Sequence, residues 1–151
     1  MKRLLLIPLV LFVGLAFGQS NKAEKSTKHN ISIGIFDDRT GLSLVGYTYN
    51  VRQTDMDEFF IGGGTMLLAY TGTVGWKHYY KKSKLSISSV VCGQYVEHLG
   101  GRGVMPTISL TLEYNLTNRI QVKLGGMGVM LLGETSDNFG ALPFVGLNFR
   151  F

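Results

Sequence analysis

The chain has 151 residues, 45% of them hydrophobic, and carries a formal net charge of +5. Much of that charge is not informative: without Lys2 and Arg3 the excess falls to +3, from 13 Lys+Arg against 10 Asp+Glu, which gives no basis for nucleic-acid binding. One cysteine and three prolines exclude a disulfide framework and a cysteine-based metal site, and the length suits one domain.

Met1-Lys2-Arg3 is a short positive segment, and Leu4 to Phe17 is an apolar run broken by Pro8 and Gly14. Ala16-Phe17-Gly18 puts small residues where a signal peptidase reads, so residues 1–18 are expected to be a signal peptide. The run is too short for a membrane anchor of roughly 18 to 20 residues. Residues 19–30, almost without apolar side chains, read as a flexible, slightly basic tail.

Residues 31–151 read as the folded domain, with about eight strands and no convincing helix. The first expected strand, Ile31 to Phe36, puts Ile31, Ile33 and Ile35 on one face, and Asp37 to Gly41 turns the chain. The second, Leu42 to Val51, alternates Val45, Tyr47, Tyr49 and Val51 with Gly46, Thr48 and Asn50. Arg52 to Asp57 is a charged connection. The third, Glu58 to Tyr70, alternates least because it contains Gly62-Gly63-Gly64; Thr71-Gly72 is the expected turn after it. In the fourth, Val74, Trp76, His78 and Tyr80 share a face, and Lys82-Ser83 reverses the chain. The fifth spans Lys84 to Val96, followed by a loop from Glu97 to Gly103. The sixth, Met105 to Leu116, alternates most cleanly: Ile108, Leu110, Leu112 and Tyr114 against Thr107, Ser109, Thr111 and Glu113. After Thr117-Asn118 the seventh runs from Ile120 to Leu132, with a phase change expected at Gly125-Gly126 through a bulge. Gly133 to Gly140 reads as a loop, and the eighth strand runs to Phe151.

Segments of this length and alternation resemble the small outer-membrane β-barrels of Gram-negative bacteria, of the eight-stranded type. The resemblance covers the whole chain as a pattern. Its sharper element is Gly146, Phe149 and Phe151, which match the terminal signal read by the barrel-assembly machinery; Phe144 stands where such signals often carry a polar residue. The resemblance implies an all-β, antiparallel up-and-down transmembrane barrel, residing in outer-membrane lipid with both termini in the periplasm. The connections 52–57, 82–83 and 117–118 would then be periplasmic, and the other four would face outward.

A hairpin turning on Thr117-Asn118-Arg119 sets Glu113 opposite Lys123 and Asn115 opposite Gln121, all pointing inward. With Arg150 they form the expected lumen charge network. Trp76, Lys77, Tyr80, Lys81, Lys82 and Lys84, with Tyr79, cluster at one turn as candidate contacts to lipid head groups and an interfacial aromatic belt. Cys92 reads as a small hydrophobe. No cofactor or metal ligand set is visible. Some small barrels of this kind are lipid A-modifying enzymes that use a His with a Ser, two apart in the deacylase; no His-x-Ser occurs here, and His98 could meet Ser136 only if their loops touched. The expected function is therefore a non-enzymatic envelope barrel with a structural or weak ligand-contact role. A lipid-modifying enzyme and a soluble periplasmic barrel holding an apolar ligand are the alternatives; the latter requires Ile108, Leu110, Leu112 and Tyr114 inside.

Overall fold

A computed structural model describes residues 27–98, 101–132 and 138–151. The expected signal peptide and most of the expected tail lie outside these residues. Eight strands follow in order: β1 (His29–Ile35), β2 (Val45–Gln53), β3 (Asp57–Met66), β4 (Ala69–Lys81), β5 (Leu85–His98), β6 (Gly101–Asn115), β7 (Ile120–Leu131) and β8 (Asn138–Arg150). Each pairs antiparallel with its neighbour, and β1 pairs with β8 to close a barrel.

Closure is made by the pairs Ile31↔Phe149, Ile33↔Leu147 and Gly34↔Gly146. Beyond β8, Phe151 exchanges both backbone hydrogen bonds with His29, at 3.2 and 2.9 Å. The seam is tight at its glycine pair: a Cβ on Gly34 would stand 2.3 Å from the Val145 carbonyl oxygen and 2.5 Å from Gly146 Cα.

Successive side chains of a strand point to opposite faces. The apolar set points outward on every wall: Ile33 on β1, Tyr47 on β2, Ile61 on β3, Val74 on β4, Val91 on β5, Leu110 on β6, Leu124 on β7 and Val145 on β8 are all exposed. Thr48, Thr73, Ser88, Ser109, Thr111 and Asn148 are buried on the inner face. A barrel with an internal apolar ligand cavity needs the opposite facing, yet Ile108 and Leu110 are 58% and 59% exposed.

Several boundaries differ from the sequence expectation, mostly at one end. The β3–β4 reversal is at Leu67-Leu68, with Leu67 at φ 51°. Thr71-Gly72 is no turn: Thr71 pairs with Gly64 and Gly72 with Gly63 inside the ladder. Glu97 and His98 pair with Arg102 and Gly101, so the expected 97–103 loop is mostly strand. At the end of the expected 133–140 loop, Phe139 and Gly140 likewise pair with Met130 and Val129, while residues 133–137 lie outside the described residues. Glycine and polar residues suggested loops there, but the two-stranded ladders simply run on past the apolar band. At the other end β1 begins at His29, two residues before the expected start.

The expected bulge at Gly125-Gly126 is absent. Register runs unbroken from Asn115↔Gln121 to Thr107↔Val129. What changes along β7 is the chemistry of the inner face, from Gln121 and Lys123 to Met127 and Val129, all buried. An unchanged pleat therefore looks like a phase shift in the sequence. The register shifts that do occur lie between Asn50 and Arg52 and between Tyr79 and Lys81.

The lumen accordingly has two parts. Toward the end that carries the β1–β2 connection, Met105, Met127, Val129 and Phe144 pack together with Phe36, Leu42, Val96 and Leu142. Phe144, the departure from the expected terminal signal, is 2% exposed and belongs to this cluster. Toward the end that carries the termini, the inner face is mainly polar and charged, with Phe60, Val90 and Cys92 as a smaller buried apolar cluster.

Candidate functional site in the barrel lumen

The β1–β2 connection was expected to be an outward turn at Asp37 to Gly41. It folds into the barrel instead: Asp37, Asp38, Arg39, Thr40 and Ser43 are all buried. Its conformation is set locally. One carboxylate oxygen of Asp37 accepts from the backbone N–H groups of Arg39 and Thr40 and from the Thr40 hydroxyl, each at 3.2 Å, as acidic side chains do in tight turns. Asp37 and Gly41 exchange backbone hydrogen bonds of 2.9 and 2.8 Å, and Gly41 adopts φ +63°. Phe36 takes φ 61° at the entry, a left-handed conformation costing about 1 kcal/mol or more in a non-glycine residue.

The inner wall makes room for this plug and then grips it. A Cβ on Gly46 would lie 2.4 Å from Thr40 Oγ1, and one on Gly64 would lie 2.6 Å from Ser43 Cβ. Thr71 and Thr73 of β4 donate hydroxyl hydrogen bonds to the carbonyls of Thr40 and Arg39, at 3.2 and 2.8 Å.

The charges of the plug meet charges of the wall. Asp38 accepts from Lys77 Nζ at 2.8 Å and from Lys123 Nζ at 2.6 Å. Lys123 also reaches Asp37 at 3.1 Å, and Lys77 also pairs with Glu113. Arg39 pairs with Glu58 and donates to Asn50 Oδ1 at 2.7 Å. Asn115, Gln121 and Asn148 extend the network: Gln121 donates to Asn115 at 2.7 Å, and Asn148 donates to Gln121 at 2.9 Å.

Among the described residues, the buried charges are four acids (Asp37, Asp38, Glu58, Glu113) and four bases (Arg39, Lys77, Lys123, Arg150). Isolated buried ions are costly, and pairing offsets that cost. The set is formally neutral, and it ties the plug to strands β3, β4, β6 and β7. Its carboxylates and ammonium groups are engaged with one another, which holds the plug against the inner wall.

The sequence-predicted residues occupy this site with altered partners. Glu113 stands opposite Lys123 and Asn115 opposite Gln121 in the ladder. Glu113 and Lys123 nevertheless ion-pair elsewhere, because Asp38 enters from the plug and takes Lys123. Arg150 is 5% exposed and donates from Nε to Thr27 Oγ1 at 3.1 Å. Asp37, Asp38, Arg39 and Glu58 were not anticipated. Glu58 was readable, since Phe59 and Ile61 point outward and parity turns Glu58 inward; nothing in the local pattern signals that the 37–43 segment inserts.

The expected head-group cluster divides. Lys77 is fully buried and Tyr79 is 3% exposed; both alternate with outward Trp76 and Tyr80, so neither contacts the outside. Trp76 and Tyr80 are exposed on the outer wall, as is Lys81. Lys82 and Lys84 are half-buried, with ammonium groups 4.4 Å from the Tyr79 ring centre and 5.4 Å from that of Tyr114. Gly146 faces Gly34 at the seam, Phe149 is half-buried and Phe151 exposed. Cys92 is lodged beside polar groups, with Sγ 2.9 Å from Thr107 Oγ1. His98 ends β5 opposite Gly101, and Ser136 lies outside the described residues. No group of three His, Cys, Asp or Glu side chains among the described residues is placed to hold a metal ion.

The chain matches no protein-family model and no curated protein. Among solved structures it is similar to the N-terminal β-barrel domain of Pseudomonas aeruginosa OprF, at 14% sequence identity and a TM-score of 0.49, covering 82% of this chain and 94% of that one.

Proposed function

We propose that this chain is a non-enzymatic barrel of the Gram-negative outer membrane whose role is structural, with a lumen sealed by its own β1–β2 segment. The observation that carries the reading is the opposition of the two faces. Every wall presents apolar side chains outward, as lipid requires, and the closed ladder leaves no unpaired sheet edge. Inside, the plug and its paired charges fill a bore that eight strands make narrow in any case. On this reading residues 1–18 direct export, and Gly146, Phe149 and Phe151 are presented to the barrel-assembly machinery. Both termini, and the short β2–β3, β4–β5 and β6–β7 turns, face the periplasm.

The experiment is membrane fractionation combined with conductance. The account expects the protein in the outer-membrane fraction, migrating differently on a gel until boiled, and silent in planar bilayers at neutral pH. A chain soluble without detergent contradicts the lipid-embedded barrel. A steady ion current contradicts the seal.

A further inference from the structure

Outside the barrel, at the rim assigned to the periplasm, one cluster sets a carboxylate among aromatic rings. Asp57 opens β3, opposite His78 of β4, which in turn lies opposite Ser89 of β5. The Asp57 carboxylate oxygen Oδ1 lies 2.8 Å from His78 Nδ1 and accepts from Trp76 Nε1 at 2.9 Å. A carboxylate only accepts, so the imidazole proton on that side sits on Nδ1 and fixes the ring. Tyr80 donates its hydroxyl to Ser89 at 3.1 Å, and the His78 ring packs edge-on to Tyr80 at 5.2 Å and tilted against Trp76 at 5.8 Å.

The Trp76 and Tyr80 donors are already engaged within the cluster. The second carboxylate oxygen of Asp57 takes only a 3.5 Å contact, from Thr54 Oγ1; the Asp57 and His78 side chains are each a third exposed, and Trp76 and Tyr80 are exposed. A carboxylate beside aromatic rings suits an ammonium group, through charge pairing and cation–π attraction. We propose that Asp57, Trp76, His78 and Tyr80 form a site for the ammonium of a zwitterionic aminophospholipid in the periplasm-facing leaflet. This rests on the lipid-embedded reading of the barrel.

Trp76 is the single tryptophan of the chain, so its fluorescence reports on the site alone. The purified chain is inserted into vesicles of phosphatidylethanolamine and phosphatidylglycerol, with brominated acyl chains on one lipid or the other. Brominated phosphatidylethanolamine is expected to quench Trp76 as if enriched about threefold over its mole fraction, and Asp57→Asn should bring that enrichment to about one. Quenching that follows mole fraction in the native chain, or an enrichment unchanged in Asp57→Asn, overturns the site. Heat-modifiable migration is recorded on the same vesicles. A chain that inserts without lipid preference refutes the site alone, whereas one that does not insert refutes the barrel reading and the site with it.

Discussion

The two halves of the lumen use the same pleat and the same inner face, yet they are held by different physics. Around Met127 and Phe144, side chains fill volume, and any apolar group of the right size serves. Around Asp38, each ion depends on a named partner on another element, and Asp38 alone serves two lysines from β4 and β7. Packing in the first half is tolerant, though it too reaches far in sequence, from Phe36 and Leu42 to Phe144. In the second it is specific, and it binds a connecting segment to walls far away in sequence.

That contrast can be tested by substitutions of decreasing effect. Asp38→Ala removes the shared partner of Lys77 and Lys123, leaving buried positive charge unbalanced; about 3–5 kcal/mol of stability should be lost, read as a lowered urea midpoint of the folded, heat-modifiable band in vesicles. Met127→Ala, in the apolar half, should cost less, about 2 kcal/mol, by the same assay. An equal or larger loss there would erase the distinction between the halves. Gly46→Ala forces a methyl against Thr40 and should cost roughly 1–3 kcal/mol, while making the 37–43 segment cleavable by protease added from outside. The double change Lys77→Met with Glu113→Leu removes one acid and one base together; its loss should be smaller than that of Glu113→Leu alone, by at least about 1 kcal/mol in the same titration. Smallest of all, Lys84→Ala at the rim gives up one contact to Tyr114, and its midpoint should move by less than about 1 kcal/mol.

Much of this was written in the sequence in plain form. Alternation from Thr107 to Leu112 defines the facing of β6, and the turn at 117–119 sets Glu113 against Lys123. Parity also held information that residue type obscured: Lys77 looks like a surface lysine, but as a neighbour of outward Trp76 it must point in. Two things were not legible. Strand ends rich in glycine and polar residues, such as Thr71-Gly72, imitate turns when no partner strand is in view. The insertion of Asp37 to Ser43 depends on space left by Gly46 and Gly64 on other strands, and on lysines of β4 and β7, so no window of local sequence contains it. The centre of the lumen network is for that reason illegible in the sequence, whereas Glu113 and Lys123 on its wall are legible.

The most direct measurement is the accessibility of the plug. Ser43, 1% exposed, is changed to Cys in a Cys92→Ser background, and the folded chain in vesicles is treated with a membrane-impermeant maleimide. Leu67→Cys, at a position 85% exposed, serves as the reactive reference. The account predicts rapid labelling at position 67 and none at position 43 until the barrel is unfolded. Comparable labelling at both positions in the folded barrel would mean that the 37–43 segment lies outside, and that the lumen is not sealed by it.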